Sequence, residues 1–104
     1  MTAMMIYITA KNAQEAGAIG SALVEERLVA CVNIIEKVRS VYRWKGKIER
    51  DGEAVLIAKT KESLVVKVIA RARALHGYEC PCIEAIPIVN GNPAYLKWIC
   101  DETE

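Results

Sequence analysis

Two patterns of hydrophobic and polar positions predict the first two elements of the chain. Met4 to Ala10 is a nearly unbroken apolar run, which is typical of a strand inside a sheet. Asn12 then precedes Glu15 by three residues, close to a capping box, and apolar residues recur at helical spacing. The pattern predicts a strand over 4–10 and a helix from about Ala13 to Glu26.

A long hairpin follows in the central part of the sequence. Cys31 to Trp44 alternates with period two, which predicts a strand. We expect its apolar residues to share one face, namely Val32, Ile34, Val38, Tyr42 and Trp44. Lys45-Gly46 supplies a turn, and a second strand is predicted from about Lys47 to Lys59. Gly52 inside this strand predicts a bulge or bend.

A second amphipathic helix follows the hairpin. Thr60 and Ser63 are both candidate N-caps. The apolar positions are then Val65, Val68, Ile69, Ala72 and Leu75, spaced as one helix face. His76-Gly77 is predicted to end the helix, with Gly77 in the left-handed conformation. Tyr78 to Cys82 is predicted to be a loop stiffened by Pro81.

The last segments complete a recognisable element order. Ile83 to Val89 predicts a fourth strand, and Asn92 followed by Pro93 predicts the start of a C-terminal helix. The order β-α-β-β-α-β plus a helix is that of an α+β, ferredoxin-like domain spanning residues 1–104. Pro87 in the fourth strand agrees with an edge position, because proline is excluded from central strands.

The length of the hairpin predicts a partner. A strand of 14 residues spans roughly 45 Å, whereas a compact chain of 104 residues has a diameter of roughly 33 Å. The tip of the hairpin should therefore overhang the body of the domain. Because that tip carries Val38, Val41, Tyr42 and Trp44, an overhanging hairpin with free edges favours association with another chain.

Composition and charge exclude several classes of function. Lys and Arg total 14 against 13 Asp and Glu, so no basic excess indicates nucleic acid. No apolar stretch approaches the roughly 20 residues that span a bilayer, and no cleavable leader is evident. We expect a cytoplasmic protein whose four cysteines are thiols. No P-loop, dinucleotide or nucleophile motif indicates an enzyme.

Six segments, taken in order, resemble the CutA family of divalent-cation tolerance proteins. They are Glu25–Ile34, Tyr42–Glu49, Lys59–Thr60, His76–Pro81, Pro87–Ile88 and Tyr95–Ile99. The resemblance covers essentially the whole chain. It implies a ferredoxin-like protomer in a tight trimer, with the long strands pairing between subunits. It also implies a role in copper tolerance, a cytoplasmic location and an architecture like that of the PII signalling proteins.

The chain departs from the family pattern where a metal site has been proposed. The family usually has His-Pro-Tyr where this chain has His76-Gly77-Tyr78. It usually has Glu after the loop proline, where this chain has Cys82, and a cysteine near the end of the first strand, where this chain has Ile8. The family's proposed metal site therefore does not carry over as written.

The local candidates for a metal site are His76, Cys80 and Cys82. Two thiolates two residues apart, near an imidazole, are soft ligands suited to copper or zinc. The alternative is structural: buried cysteines act as small hydrophobes, and a histidine at a helix C-terminus complements the helix dipole. We expect at most weak binding of copper or another divalent cation, with no obligatory cofactor.

A second set of residues predicts a ligand pocket between subunits, drawn in part from the family resemblance. The set is Cys31, Trp44, Lys59, Tyr78 and Glu79. Lys59 would attract an anion, or it is a solvated charge at the start of a helix. Trp44 would line the pocket, or it anchors the trimer, and Cys31 is a pocket residue or part of the core.

Two functional hypotheses follow. The first is a homotrimeric, metal-responsive protein of divalent-cation tolerance that binds copper or other divalent cations. The alternative is a PII-like signalling or small-ligand-binding trimer whose physiological ligand is not a metal. The partners expected are other copies of the chain and a metal ion or small ligand, with neither nucleic acid nor membrane.

Overall fold

The computed structural model describes residues 2–104 and contains one four-stranded antiparallel sheet. The elements are β1 (Ala3–Ala10), α1 (Ala13–Glu25), β2 (Cys31–Trp44), β3 (Lys47–Lys61), α2 (Val65–Leu75), β4 (Ile83–Pro87) and α3 (Pro93–Glu102). The strand order is β2-β3-β1-β4. This layout confirms the predicted α+β, ferredoxin-like fold, and Pro87 lies in an edge strand as predicted.

The hydrophobic core lies between one face of the sheet and the first two helices. On β1 the even-numbered side chains are buried while Met5, Tyr7 and Thr9 are half-buried. The core is formed by sheet residues such as Ile6, Ile8 and Leu56, packed against Ile19, Leu23, Val68 and Ala72 of the two helices. The opposite face of the sheet, which we call the open face, carries Tyr7, Thr9, Val55 and Ile57.

A β-bulge in β2 divides the strand into two parts. Even-numbered side chains point to one face of the sheet before the bulge and to the other face after it. Ile35 lies opposite Val55 and Val38 lies opposite Glu53, so β2 has one extra residue between these pairs. An extra residue reverses the alternation of side chains. Val32 and Ile34 therefore face the core side, whereas the side chains from Val38 to Trp44 at even positions share the open face. The prediction that all five apolar residues share one face is wrong for this reason.

The hairpin overhangs the body as predicted. β1 pairs with β3 only from Ala54 to Lys61, so residues 38–53 continue beyond the last strand that supports them. The molecule measures 44 × 25 × 22 Å, and the overhang accounts for its elongation. The turn at the tip has positive φ at Lys45 and Gly46, which glycine adopts without steric cost.

Three local predictions are corrected by the structure. Thr60 and Ser63 do not cap α2. Thr60 lies in β3, where its hydroxyl donates to the Leu28 carbonyl at 2.7 Å. Ser63 lies in a 3-10 turn, Glu62–Leu64. Gly77 does not adopt positive φ, because α2 ends in an extended residue, His76, instead of a left-handed turn. Gly52 is not the bulge, since it pairs regularly with Arg39.

The remaining differences lie at element ends. α1 ends at Glu25, one residue before its predicted end, and β3 continues two residues further than predicted, to Lys61. β4 ends at Pro87, where its last pair is with Met4 of β1. Asn92 caps α3 through its side-chain oxygen, with Pro93 at the first turn, as predicted. No helix within residues 2–104 combines the length and the apolar character needed to cross a membrane.

Candidate functional site

A groove of about 800 Å³ separates the overhanging hairpin from the segment after α2, a volume in the range of small-molecule sites. Residues 38–42 and Trp44 line one side, and residues 77–80 and Cys82 line the other. Tyr7, Thr9 and Glu53 complete the lining. The groove therefore brings together five of the predicted site residues, namely Trp44, Tyr78, Glu79, Cys80 and Cys82.

His76 connects the start of the 77–82 segment to strand β1 through hydrogen bonds of its ring. Its Nε2 lies 2.7 Å from the Thr9 carbonyl oxygen, and its Nδ1 accepts a hydrogen bond from the Tyr78 N–H at 3.1 Å. Since a backbone N–H only donates, Nδ1 is the unprotonated nitrogen and Nε2 carries the proton. Both ring nitrogens are thus engaged, and His76 must break one of these bonds before it can bind a metal ion.

Glu15 of α1 holds the same segment from the other side. One carboxylate oxygen accepts the Gly77 N–H at 3.0 Å, and the other accepts the Lys11 N–H at 3.0 Å. Burial raises the pKa of Glu15, but these two backbone hydrogen bonds and nearby positive charge outweigh it and hold the pKa below its ordinary value. Glu15 therefore acts both at the helix start and as an anchor for the 77–82 segment.

Tyr78 connects the segment to the root of the hairpin. Its hydroxyl donates to a carboxylate oxygen of Glu53 at 2.8 Å, and Glu53 is only 8% exposed. Burial of Tyr78, followed by this hydrogen bond to a negative group, raises the pKa of the phenol well above its ordinary value. At the tip, Lys45 Nζ lies 3.7 Å from Glu79, an exposed ion pair of the kind that contributes little.

The open face of the overhang carries three carboxylates of β3, one of which accepts a hydrogen bond from a tyrosine of β2. Tyr42 donates to Asp51 at 2.5 Å, and this bond raises the pKa of Tyr42 to about 12. Glu49, Asp51 and Glu53 occur at every second position of β3 and so share this face. Of these three carboxylates, Glu53 lines the groove, and Arg39 of the same hairpin lines it as well.

The two cysteines of the 77–82 segment have different surroundings. Cys80 is exposed, whereas Cys82 is half-buried. Burial, and then the neighbouring Glu84 carboxylate, raise the pKa of the Cys82 thiol above its ordinary value. The Cys82 thiol donates to Glu84 at 3.6 Å. The structural alternative, a small buried hydrophobe, is thus wrong for Cys80.

The residues present do not fit a tightly bound metal ion within one chain. Across residues 2–104, no three His, Cys, Asp or Glu side chains form a group that could hold a metal ion. The Cys82 thiol and the Glu84 carboxylate are two suitable donors that are in contact. A site with so few preassembled ligands can bind a divalent cation only weakly and reversibly.

Cys31 and Lys59 lie at the opposite end of the sheet, where α3 covers the open face. The Cys31 sulfur lies 3.4 Å from the Tyr95 hydroxyl, and this contact is the main cause that raises the pKa of Tyr95 to about 12. Lys59 Nζ lies 3.3 Å from the side-chain oxygen of Asn33 and 5.9 Å from the centre of the Tyr95 ring. These contacts form a second cluster, of Cys31, Asn33, Lys59 and Tyr95.

The predicted ligand pocket is therefore divided between two ends of one chain. Lys59 follows Glu53 by six residues along β3, roughly 20 Å. A single chain does not bring Cys31 and Lys59 to Trp44, Tyr78 and Glu79. Four further residues of these clusters were not predicted as site residues from the sequence: Glu15, Asn33, Glu53 and Tyr95. Glu15 had a signal that concerned the helix start, its place three residues after Asn12, and Asn33 and Tyr95 lie in segments that resemble the family, whereas Glu53 had none.

Comparison with known proteins identifies the family. The family model for the CutA1 divalent ion tolerance protein matches residues 4–102. A divalent-cation tolerance protein CutA of Thermus thermophilus is 43% identical over 99 residues, covering 95% of this chain and 96% of that protein. Protein CutA of Mus musculus is 44% identical over 98 residues, which are 94% of this chain and 55% of that protein.

The chain spans about half to two thirds of the length of the animal and plant relatives that it matches, whereas it matches the bacterial protein along almost its whole length.

Solved structures agree with the sequence comparison. The CutA1 divalent cation tolerance protein of Thermus thermophilus superimposes with a TM-score of 0.95 at 42% identity, covering 98% of this chain and 99% of the other. CutA1 of Oryza sativa gives 0.96 at 36% identity, covering 100% and 95%. Together with the element order and the long hairpin, these matches show that the chain belongs to the CutA1 divalent ion tolerance family.

Proposed function

We propose that this protein acts in divalent-cation tolerance as a homotrimer that binds copper or another divalent cation weakly. The family name describes tolerance of cations and no chemical reaction, and we propose a binding protein, not an enzyme. The observation that carries the assembly is the open face of the sheet.

The open face is too apolar to remain in water. The apolar side chains on this face that remain at least partly exposed are Met5, Tyr7, Ile35, Val38, Ile57 and Ile86. Ile35 is 49% exposed, and Ile86, Tyr42 and Trp44 are also substantially exposed. Antiparallel sheets with two apolar faces need a cover on both. A second copy of the chain can supply that cover and support the overhanging hairpin at the same time.

Association of unlike ends explains the divided pocket. The overhang and the 77–82 segment lie at one end of the sheet, and the Cys31–Lys59 cluster lies at the other. A head-to-tail contact joins different surfaces and closes into a ring when the rotation allows it. Such a ring places Cys31 and Lys59 of one protomer beside Trp44, Tyr78 and Glu79 of the next. The number three is what the family resemblance implies.

Light scattering tests the assembly directly. At micromolar concentration we expect a mass near three times the 11.5 kDa of the chain. A mass near that of a single chain would refute the proposal, because the open face and the divided pocket would then remain uncovered in solution.

Weak cation binding is proposed for the segment from His76 to Glu84. Cys80 is exposed and Cys82 has a carboxylate neighbour, so thiolate and carboxylate donors are available. His76 would join only after releasing Tyr78 or Thr9. Because the raised pKa of Cys82 keeps its thiol protonated near neutral pH, affinity should rise as the pH rises and the thiolate forms.

Titration with Zn(II) tests the cation proposal. The double variant Cys80→Ser/Cys82→Ser should lose binding at pH 7.5 under reducing conditions, while Cys100→Ser, a half-buried thiol on α3, should bind as the wild type does. His76→Ala should change affinity less than the double variant. Undiminished binding by the double variant would remove the two thiols from the site.

A second candidate function is a PII-like small-ligand module. The observation in its favour is the groove itself, whose volume and whose aromatic lining by Tyr42, Trp44 and Tyr78 suit an organic ligand. Calorimetry with nucleotides and with divalent cations on the same sample distinguishes the two functions. Binding of a nucleotide more tightly than any cation would favour the second.

We also propose a cytoplasmic location, in which the four cysteines remain reduced. Among the relatives, the Arabidopsis thaliana protein is named chloroplastic and the Archaeoglobus fulgidus structure is named periplasmic. Fractionation of the native host with an antibody to the chain tests the location, and recovery outside the cytoplasm would overturn it.

A further inference from the structure

The outer surface of the overhanging hairpin carries a cluster of arginines. Directly opposite residues of antiparallel strands share a face, and the pairs Arg39–Gly52, Val41–Arg50 and Arg43–Ile48 therefore lie together. We call this surface the arginine face and define it as Arg39, Val41, Arg43, Ile48 and Arg50. All five side chains are exposed, with Val41 at 65% and Ile48 at 52%.

The bulge in β2 creates this surface. Without the extra residue between Ile35 and Val38, the odd-numbered positions of β2 beyond it would point to the open face. The bulge instead sends Tyr42 and Trp44 to the open face and Arg39 and Arg43 to the outer side. The same irregularity thus separates the aromatic residues of the groove from the arginines.

Charge is segregated between the two faces of the overhang. Glu49, Asp51 and Glu53 all lie on the open face, and the arginine face has no acidic residue. Three of the six arginines of the chain are gathered there although the net charge is only +1. Within residues 2–104, none of these three guanidinium groups forms an ion pair with a carboxylate. Their positive charge is therefore available to a ligand.

The composition of the face distinguishes among anionic partners. A single-stranded nucleic acid would use aromatic stacking platforms, but the aromatic residues of the hairpin lie on the opposite face. An anionic membrane surface favours aromatic and leucine side chains among lysines and arginines, and this face offers only Val41 and Ile48. Protein interfaces are enriched in arginine, whose planar fork binds carboxylates in a bidentate manner.

We propose that the arginine face is a docking surface for an acidic, extended segment of a partner protein, in which carboxylates alternate with aliphatic side chains. Arg39 and Arg43 flank Val41 at a distance of roughly 7 Å along the strand on either side, with Arg50 opposite Val41. An extended segment has the same spacing. Its first and fifth side chains can pair with Arg39 and Arg43 while the third packs on Val41.

This docking does not depend on the trimer or on cation binding. The arginine side chains lie on the opposite face of the hairpin from the side chains of the open face. Arg39 and Val41 also contribute to the lining of the groove, whereas Arg43, Ile48 and Arg50 do not, so the two proposals can fail separately.

The test uses the full chain and fluorescence anisotropy with a labelled peptide containing the core Glu-Thr-Val-Thr-Glu. The variant Arg39→Gln/Arg43→Gln/Arg50→Gln should bind at least about tenfold more weakly, equal to about 1.4 kcal/mol. The control Lys11→Gln/Lys67→Gln/Arg73→Gln removes the same charge from exposed positions elsewhere and should retain affinity. Replacing the three arginines by lysine should restore only part of the binding, because the fork is lost.

Several results would overturn the proposal. They are no binding of this peptide by the wild type, equal binding of a Gln-Thr-Val-Thr-Gln peptide, and equal loss in the control variant. Tighter binding of a single-stranded oligonucleotide or of phosphatidylserine vesicles would assign the face to a different class of partner. The triple glutamine variant should keep the mass of the wild type in light scattering. A lower mass would mean that a second copy of the chain covers the face.

Discussion

Single side chains from distant parts of the sequence fix the segment that lines the groove. Glu15 accepts the Gly77 N–H, and Tyr78 donates to Glu53. Residues 77–82 contain no helix or strand, so their position depends on these few hydrogen bonds and on His76. A substitution at any of them should alter the groove before it alters the core.

Tyr78→Phe is expected to destabilise the protein because it leaves a nearly buried carboxylate, Glu53, without its partner. The loss should be about 1 kcal/mol, the usual cost of an unmade hydrogen bond at a partly exposed site. Urea unfolding at pH 7 measures it. Tyr42→Phe is the matched control, because its hydroxyl bonds an exposed carboxylate and its removal should leave the midpoint unchanged. Equal midpoints for wild type and Tyr78→Phe would contradict this account.

Glu15 should make stability depend on pH in a definite direction. Its pKa in the folded chain lies below the ordinary value of 4.5, so the folded state prefers the ionised form more than the unfolded state does. The stabilisation is complete above the ordinary pKa and is lost as the pH falls through it and below.

The variant Glu15→Gln isolates this effect. The wild type should be more stable than the variant at pH 7, and the difference should shrink at pH 3.5, as measured by urea midpoints at both pH values. Glu25→Gln, an exposed carboxylate at the other end of α1, is the control and should show little difference at either pH. A gap between wild type and Glu15→Gln that is independent of pH would show that the carboxylate charge is not involved.

Among the elements, α1 packs on the hairpin most closely at one glycine. A Cβ atom placed at Gly20 would lie 2.9 Å from a Val32 methyl and 3.2 Å from a Leu56 methyl, whereas one at Gly17 would meet only Ile34 at 3.9 Å. The sheet therefore leaves no room for a Cβ atom at Gly20, whereas one at Gly17 would make an ordinary van der Waals contact.

Alanine substitutions at these two glycines should have opposite effects. Alanine in a helix interior gains about 1 kcal/mol over glycine, so Gly17→Ala should stabilise the protein. Gly20→Ala should destabilise it by roughly 1–3 kcal/mol, because overpacking outweighs the helix propensity. Thermal unfolding of both variants tests this prediction. A higher midpoint for Gly20→Ala than for the wild type would show that the Val32 and Leu56 side chains can move aside at little cost.

The sequence predicted the elements well because their signals are local. The period of two gave β2 its limits at Cys31 and Trp44, and Asn92-Pro93 marked the start of α3. The bulge was not predictable in the same way: apolar residues stay at even positions on both sides of it, and register depends on the partner strand. The groove residues Trp44, Tyr78 and Cys82 stood in local motifs, whereas Glu53 reaches Tyr78 only through the tertiary fold.

At the scale of the whole molecule, the sheet is covered on one face and largely uncovered on the other. Helices α1 and α2 bury the core face, while α3 reaches only the end of the open face near Cys31. Several large apolar residues of the open face and the overhang are exposed, namely Ile35, Tyr42, Trp44 and Ile86. Exposed apolar surface of this kind is typical of interaction sites, and this is why we propose that another chain covers it.

Ile35→Glu is expected to disrupt the assembly. It places a charge on the open face in the edge strand β2, opposite Val55, where association would bury it without a partner. The folded monomer should tolerate the change, since Ile35 is 49% exposed within one chain. Light scattering should therefore report a mass near that of one chain, with circular dichroism unchanged. Val66→Glu makes the same substitution at a residue that is 80% exposed on α2 and should keep the mass of the wild type. If Ile35→Glu assembled as the wild type does while Val66→Glu did not, the contact between subunits would lie on the helical side of the protein.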